Sequence, residues 1–475
     1  MKMEKSKELA KNTGIFAIGT IGSKLMLFLL VPIYTLFLKS SEYSAADLIV
    51  STVFLLSPLL TIGIGNGVLR FVLDRPENRG KVLKLCLYIV SVGFLFLLMF
   101  IPLLNSLEIF SGYGYLVPFV FLCYSVKHIF ANYCKAVEKN LLYSVDGILS
   151  ALTLTVFSVI FLAVAHMGIL GYVLATTISL LISIFFFLAK CDIVAVLRRD
   201  KIDIKLSKEV IKYAFPLMPN ELSWWVVQMS NRYILVFFCG AAVNGVFSMA
   251  YKLPGIFNLI VSIFIQAFGI TAIKECNQEN RLNGKIDGSY FSEIYEKYCA
   301  VTFLSVLVVI MASKPLAIIF LKNEFSEAWK YVPFLLCAYA IGNLQSFYGS
   351  IYGGLKRTGL VFLSTLLGAA TSVALNFVLV PRFGAFGACF AAIASYCVIY
   401  IARLLGLKKN IVMQHFVVRN LVSIILVILT SILYVKGFFY YSFGGLVLAV
   451  ILYRKTGMEM LMLLGKISKK IKGRL

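Results

Sequence analysis

The sequence carries little charge. Only 14% of its 475 residues are charged, about half the share usual in a soluble domain. Its three histidines, His128, His166 and His415, are too far apart in the chain for a metal triad, and its ten cysteines form no CxxC pair. No P-loop is present, so this chain is not expected to hydrolyse ATP. These absences exclude a soluble globular enzyme, and we expect no metal and no cofactor.

What the sequence does contain is apolar residues, which make up 60% of it, with a mean hydropathy of +0.90. A membrane helix needs roughly 20 apolar residues to cross the hydrocarbon core. Apolar stretches bounded by charges therefore predict an all-α polytopic membrane protein with about fourteen crossings. The predicted crossings are 14–38, 45–69, 82–104, 113–137, 141–165, 170–191, 213–239, 244–273, 298–321, 332–354, 360–380, 385–407, 421–434 and 438–453.

The basic residues alternate from one connection to the next. With a cytoplasmic N-terminus, and with basic residues toward the end of a crossing counted with the adjoining connection, 35 of the 45 lysines and arginines fall on the cytoplasmic side, six fall outside and four are left to the crossings themselves. This pattern predicts a cell-membrane protein with both termini in the cytoplasm. It also accounts for most of the net charge of +23, which argues against nucleic acid as a partner. The linker 192–212 and the amphipathic tail 454–475 are basic, so we expect both to meet anionic lipid.

Two segments of the sequence repeat each other. GILGYVLATTIS in crossing 6 matches GAFGACFAAIAS in crossing 12 at an offset of 216 residues. The matched pairs are Gly168 and Gly384, Gly171 and Gly387, Ala175 and Ala391, and Ser179 and Ser395. Close helix packing alone also selects small residues, but four matches at one offset favour duplication. We therefore predict two six-helix lobes, 1–191 and 213–407, related by a parallel repeat, with 421–453 as an added helix pair. This two-lobed bundle is typical of alternating-access transporters.

Four basic residues are not counted with any connection and are assigned to the crossings: Lys24, Lys127, Arg232 and Lys252. Each would cost about 2.5–3.5 kcal/mol if it faced lipid. They must therefore face water, an acidic residue or a substrate. The acidic residues available at a similar depth are Asp47, Asp146 and Glu221.

Crossing 7 places four polar or aromatic residues on one helix face. Glu221, Trp225, Gln228 and Arg232 follow one another at spacings of 4, 3 and 4. One interpretation is that this face lines the central cavity, where Arg232 attracts pyrophosphate or an acidic sugar and Trp225 stacks on a sugar ring. The other is a structural polar network between helices.

A further set of residues is assigned to gating or ion coupling. Lys127 or His128 on crossing 4 could pair with Asp146 on crossing 5, either as a structural ion pair or as a protonation site. Arg70 could instead be an anchor at the cytoplasmic surface. The candidates for this role are Asp47, Asn66, Arg70, His128 and Asp146.

Several stretches resemble a known family. LAKNTGIFAIGTIGSKLMLFLLVPIYTLFLKSSEYSAADLI, GIGNGVLRF, FPLMPNELSWWVVQMSNRYIL and NFVLVPRFGAFGACFA are similar to polysaccharide repeat-unit flippases of the multidrug/oligosaccharidyl-lipid/polysaccharide exporter superfamily. The resemblance implies two lobes forming a V-shaped central cavity. It also implies transfer of polyprenyl-pyrophosphate-linked oligosaccharide from the inner to the outer leaflet. In the related peptidoglycan-precursor flippases the last two helices hold the lipid tail, which gives 421–453 an expected role.

Other functions remain open. A multidrug or organic-cation antiporter of the same superfamily is one alternative, and a peptidoglycan lipid-precursor flippase is another. The excess of buried bases over acids favours an anionic substrate. A membrane glycan polymerase would need a long external loop, and the outer loops here are mostly under about 10 residues, so we expect no enzyme. A scaffold for other polysaccharide-assembly proteins stays possible.

Overall fold

The computed structural model describes residues 22–23, 26–200, 202–276, 281–282 and 285–459. Its helices are α1 (Met26–Phe37), α2 (Ser40–Leu60), α3 (Ile64–Asp74), α4 (Arg79–Met99), α5 (Ile101–Ser106), α6 (Val117–Ala136), α7 (Asn140–Ser158), α8 (Gly168–Lys190), α9 (Ile193–Arg199), α10 (Ile204–Ala214), α11 (Met218–Cys239), α12 (Ala241–Ala250), α13 (Lys252–Cys276), α14 (Ser289–Phe320), α15 (Val332–Gly354), α16 (Thr358–Phe383), α17 (Ala385–Leu407), α18 (Val417–Val435) and α19 (Phe439–Leu452). A π-helical turn, Val159–Val164, continues α7. Short 3-10 segments are Pro76–Asn78, Glu108–Phe110, Gly114–Leu116, Phe215–Leu217 and Asn323–Lys330.

Three short strands are the exception to this helical structure. They are β1 (Arg281–Leu282), β2 (Lys285–Asp287) and β3 (Ile411–Val412). β1 pairs antiparallel with β2, and β2 pairs parallel with β3, in the register Ile286 to Ile411. The sheet therefore ties the connection before α14 to the connection before α18.

Helices dominate because lipid offers no hydrogen-bond partner for the backbone, and a helix satisfies its own amides and carbonyls. Among the described residues, nine helical stretches have the length and composition to cross a membrane, and α1 and α19 are shorter apolar helices. Many large apolar side chains on these helices point outward; Met99 and Phe237 are 80% and 77% exposed. The prediction of an all-α polytopic membrane protein is confirmed.

Each of the fourteen predicted crossings falls on a helix. Three of them are broken: crossing 2 becomes α2 and α3, crossing 3 becomes α4 and α5 with a turn at Phe100, and crossing 8 becomes α12 and α13 with a turn at Tyr251. The first half of crossing 1 lies outside the described residues, as does the tail beyond residue 459. The helix α14 begins nine residues before the predicted start, because its first turns carry the Glu293–Lys297 ion pair, whose spacing of four residues suits a helix.

The basic linker folds as two short helices, α9 and α10. Asp203 caps α10 by accepting hydrogen bonds from the amides of Lys205 and Leu206. The hydrogen bond from the Leu206 amide is the largest cause of the lowered pKa of Asp203, and Lys81 adds to it. The linker is therefore an ordered, packed element.

The repeated motif has the same local structure in both copies. Gly168 and Gly384 both adopt φ +55°, a conformation that favours glycine, just where α8 and α17 begin. A Cβ on Gly171 would lie 3.1 Å from the Phe161 carbonyl oxygen, and one on Gly387 would lie 2.3 Å from that of Leu379. These matched contacts with the preceding helix support the duplication.

The serine pair of the motif behaves alike as well. The Ser179 hydroxyl donates to the Ser150 carbonyl at 2.8 Å, and the Ser395 hydroxyl donates to the Gly368 carbonyl at 2.7 Å. In each copy the acceptor lies on the preceding long helix, α7 or α16. Interhelical hydrogen bonds of this kind join membrane helices where apolar contact alone gives little driving force.

The contacts divide the described chain into two compact units. The first runs to Met249 and includes Phe320–Phe325; the second comprises Ala250–Ile319 and the residues from Ser326 onward. The first unit includes α11, which the repeat assigns to the second lobe. The contact units therefore do not follow the predicted lobes, whose boundaries at 191 and 213 stay a prediction about the duplication.

Candidate functional site

A buried ion pair joins α11 to α2 in the first unit. The Arg232 guanidinium donates to the Asp47 carboxylate at 2.5 Å and to the Ser51 hydroxyl at 3.2 Å. Arg232 and Asp47 are only 8% and 7% exposed. Asp47 and Ser51 are one helical turn apart on α2, so both face the same guanidinium. The charge of Arg232 is therefore matched by a carboxylate within the protein.

Two further residues of the predicted stripe, Trp225 and Glu221, contact α2 and α3. The Trp225 indole donates to the Ser51 carbonyl at 2.9 Å, and Glu221 accepts from the Asn66 amide. Gln228 is the exposed member of the stripe. For Arg232 and Trp225 these contacts favour the polar network between helices over cavity lining, because an arginine at this depth is stabilised most by a buried carboxylate within reach. A cavity-lining role for Gln228 stays a prediction.

A second ion pair lies beside a cavity in the same unit. Lys127 on α6 and Asp146 on α7 are 3.3 Å apart, as the sequence suggested for this pair. Asp146 has a side chain only 2% exposed, whereas that of Lys127 is 24% exposed. The cavity, which we call the Lys127 chamber, has a volume of about 390 Å³ and is lined by hydroxyls including Ser150, Thr176 and Ser179. A gating role for this pair stays a prediction.

Breaking this pair is expected to be costly. Asp146→Ala leaves the Lys127 ammonium without its carboxylate, and we expect a loss of about 2 kcal/mol, below the value for a fully buried pair because Lys127 still reaches the chamber. A double-mutant cycle with Lys127→Met, measured by thermal unfolding in detergent, should give a coupling energy of about 1 kcal/mol or more. Additive effects of the two substitutions would contradict a direct interaction.

A smaller polar cavity lies where α2 gives way to α3. It has a volume of about 250 Å³, and we call it the helix-break chamber. Its polar lining comes from four elements, and Glu221 and His128 both face it. The lining residues are Phe54, Ser57, Pro58, Thr61, Gly63, Gly65, Asn66, Tyr124, His128 and Glu221.

Of the remaining predicted residues that the structure describes, Lys252 and Arg70 do not line these cavities. Lys24 lies outside the described residues. Lys252 begins α13 in the second unit and is half-buried. Arg70 is exposed and pairs with Asp74 one turn away at 2.8 Å, which suits a surface anchor. Within the described residues, no three His, Cys, Asp or Glu side chains come together as a metal site.

The sequence reasoning missed a buried arginine in the second unit. Arg403 stands toward the end of crossing 12, so the charge count places it with the adjoining cytoplasmic connection, but in the structure it lies inside α17 and is 3% exposed. It donates to the Gln345 carbonyl at 2.9 Å and to the hydroxyls of Ser364 and Thr365. One feature of the sequence indicated that Arg403 lies within the helix. It precedes the Lys408 cluster by five residues, which is more than one helical turn.

The second unit carries an apolar groove between α14 and the C-terminal helix pair. It has a volume of about 480 Å³ and is lined by Val308, Met311, Lys314, Pro315, Ile318, Tyr434, Phe439, Phe443 and Leu446. Pro315 has no amide hydrogen, so the Met311 carbonyl one turn earlier lacks its helical partner. The Tyr434 hydroxyl donates to that carbonyl at 2.8 Å, which fixes α18 beside the groove. The Lys314 ammonium lies over the Phe439 ring at 4.9 Å.

The comparison with protein families decides the identity of the chain. The model of the family described as "Polysaccharide biosynthesis protein" matches residues 9–269, more than half of the sequence. The chain belongs to the polysaccharide biosynthesis protein family. This agrees with the resemblance drawn from its sequence motifs. No curated protein matches the sequence.

Solved structures add the fold. The lipid II flippase MurJ in an inward closed conformation is similar with a TM-score of 0.70 and 14% identity, over 94% of this chain and 99% of that one. An inward-facing multidrug resistance MATE family transporter of the MOP superfamily is similar with a TM-score of 0.64 and 14% identity, over 83% of this chain and 98% of that one. A MOP superfamily transporter from Pyrococcus furiosus is similar with a TM-score of 0.56 and 11% identity, over 84% of this chain and 96% of that one. This member of the polysaccharide biosynthesis family therefore has the fold of MOP-superfamily transporters.

Proposed function

We propose that the protein moves polyprenyl-pyrophosphate-linked oligosaccharide repeat units from the inner to the outer leaflet of the cell membrane by alternating access. Its family membership supports a role in polysaccharide biosynthesis. We propose that the polysaccharide is an exopolysaccharide or O-antigen. Its fold, shared with MOP-superfamily transporters, supports transport without a catalytic step. The termini would lie in the cytoplasm, and anionic lipids and other polysaccharide-assembly proteins would be its partners.

The observation that carries the lipid-linked substrate is the groove on α14, α18 and α19. An apolar cavity of about 480 Å³ with a single ammonium, Lys314, fits an isoprenoid chain attached to an anionic group. The aromatic rings of Phe439 and Phe443 supply apolar area, and Lys314 is the charged residue of the lining. A water-soluble cargo would gain nothing from such a lining.

Two of the buried bases are neutralised by carboxylates within the protein. The sequence counted four bases against three acids, but Arg232 is matched by Asp47 and Lys127 by Asp146. Glu221 accepts a hydrogen bond from Asn66 and faces a cavity. That open carboxylate favours the second candidate, an organic-cation antiporter, which the likeness to MATE structures also suggests.

Reconstitution separates the two candidates. Proteoliposomes with a fluorescent polyprenyl-pyrophosphate oligosaccharide in the inner leaflet should transfer it to the outer leaflet, where an impermeant quencher reports it. The same vesicles should not exchange ethidium against a proton gradient. Ethidium exchange without glycan transfer would replace the proposed function with the alternative one.

The groove itself can be tested with a matched pair of variants. Leu446→Trp places an indole in the groove and is expected to reduce glycan transfer at least tenfold, since the tail loses its apolar contacts. Leu448→Trp, two residues along α19 on a side chain 57% exposed, should keep wild-type transfer. Equal transfer by both variants would remove the groove from the substrate path.

A further inference from the structure

The backbone between α2 and α3 is irregular within the stretch predicted as crossing 2. The helix α2 contains Pro58 and ends at Leu60, and Ile62 and Gly63 both have positive φ, +56° and +62°. Isoleucine is β-branched, so a left-handed conformation at this position is a genuine outlier that its surroundings must stabilise. Irregular backbone inside a membrane is tolerated where it lines a cavity, and here it lines the helix-break chamber.

Two neighbouring helices hold α3 at this break. On α6, Asn132 donates to the Gly65 carbonyl at 3.1 Å, and the His128 ring lies so close that a Cβ on Gly65 would be 2.7 Å from it. On α11, the Glu221 carboxylate accepts from the Asn66 amide. The first turn of α3 is therefore fixed from one side by neutral contacts and from the other by a carboxylate.

The groups around Glu221 can be named element by element. The helix α6 presents His128 and Tyr124, whose rings stack at 6.1 Å, and α2 presents Phe54 and the hydroxyls of Ser57 and Thr61. On α3, Asn66 is the hydrogen-bond donor, and Arg70 one turn further is exposed and paired with Asp74. The basic residues on α6 are Lys127 and Lys135. No salt bridge joins Glu221 to a basic residue within the described part of the chain.

We infer that the helix-break chamber is a proton-exchange site, in which Glu221 takes up and releases one proton and thereby weakens and restores the link between α11 and α3. A proton fits this site better than a metal ion does, since Glu221 is the one carboxylate among the described residues of its lining. When ionised, Glu221 accepts a charge-assisted hydrogen bond from Asn66. When protonated it keeps only a neutral one, roughly half as strong.

The consequence is local and concerns α3. In the ionised state the Asn66–Glu221 hydrogen bond holds the strained turn at Ile62 and Gly63 in place. In the protonated state that restraint is weaker, and the backbone hydrogen bonds of α3 open more often. The inference adds a regulated site to the proposed transport function and does not depend on which cargo is carried.

Hydrogen–deuterium exchange on the purified full-length protein in lipid nanodiscs tests this directly. The pH is lowered from about 8 to about 5, and exchange times are corrected for intrinsic rates. Peptides covering α3 should lose protection roughly fivefold as the charge-assisted bond becomes neutral. Glu221→Gln, which mimics the protonated acid, should show the faster exchange at every pH.

Two further variants test whether the pH transition depends on the carboxyl group of Glu221. Glu108→Gln removes an exposed carboxylate that does not belong to the lining of the chamber. This variant should keep the wild-type pH transition. Glu221→Asp retains a carboxyl group but withdraws it from Asn66, so its transition should persist with a smaller amplitude. A wild-type pH transition in Glu221→Gln, an unchanged one in Glu221→Asp, or none in the wild-type protein would overturn the inference. No glycan is present, so the outcome is independent of the proposed function.

Discussion

Replacing Arg232 with leucine is expected to lower the free energy of unfolding by about 3–5 kcal/mol, the cost of removing one partner from a buried ion pair. The substitution leaves the Asp47 carboxylate 7% exposed and without its guanidinium, and the Ser51 hydroxyl loses the same donor. Thermal or denaturant unfolding of the purified protein in detergent measures the loss. If Arg232 instead held a substrate phosphate, transport would fall while stability changed little.

The matched control is Arg70→Leu. Arg70 also pairs with an aspartate, Asp74, but its side chain is 60% exposed, and exposed pairs contribute about 0–1 kcal/mol. The double variant Asp47→Leu with Arg232→Leu should recover most of the stability, because no buried charge then lacks a partner. Equal destabilisation by Arg232→Leu and Arg70→Leu would show that the buried pair is not a structural element.

Much of the fold follows from the sequence because a membrane makes apolar length almost equivalent to helix length. The predicted crossings 332–354 and 385–407 coincide with α15 and α17 at both ends. Each begins near a Pro or Gly that suits the start of a helix. The break between α2 and α3 was missed, since LLTIGIGNGV carries no charge and hydropathy does not register a positive φ.

The candidate site was predictable in part. That Lys127 and Arg232 need partners follows from the cost of a charge in lipid. The partner of Lys127 was identified because Asp146 is on the next crossing at a similar depth. Asp47 precedes Arg232 by 185 residues, and only the packing of α11 on α2 joins them. Arg403 was missed because its hydrogen-bond partners in α15 and α16 include a carbonyl and hydroxyls, which charge counting does not detect.

Gly245→Ala is expected to lower the free energy of unfolding by about 3 kcal/mol or more, at the upper end of the cost of overpacking. A Cβ at this position on α12 would lie 1.8 Å from the carbonyl oxygen of Ser40 and 2.6 Å from its carbonyl carbon. Both atoms belong to the backbone of the first residue of α2, so no side chain can rotate away. The start of α2 is further fixed by Glu324, which accepts from the Ser40 amide and hydroxyl.

The control for this substitution is Gly444→Ala on α19, where a Cβ would meet no atom within 4 Å. There the methyl group should be neutral or should stabilise the helix by up to about 1 kcal/mol, since alanine is the better helix former. Comparing the two variants by thermal unfolding separates close helix approach from helix propensity, which favours alanine at both sites. If Gly245→Ala unfolded at the same temperature as Gly444→Ala, then α12 and α2 would have to be further apart than the structure places them.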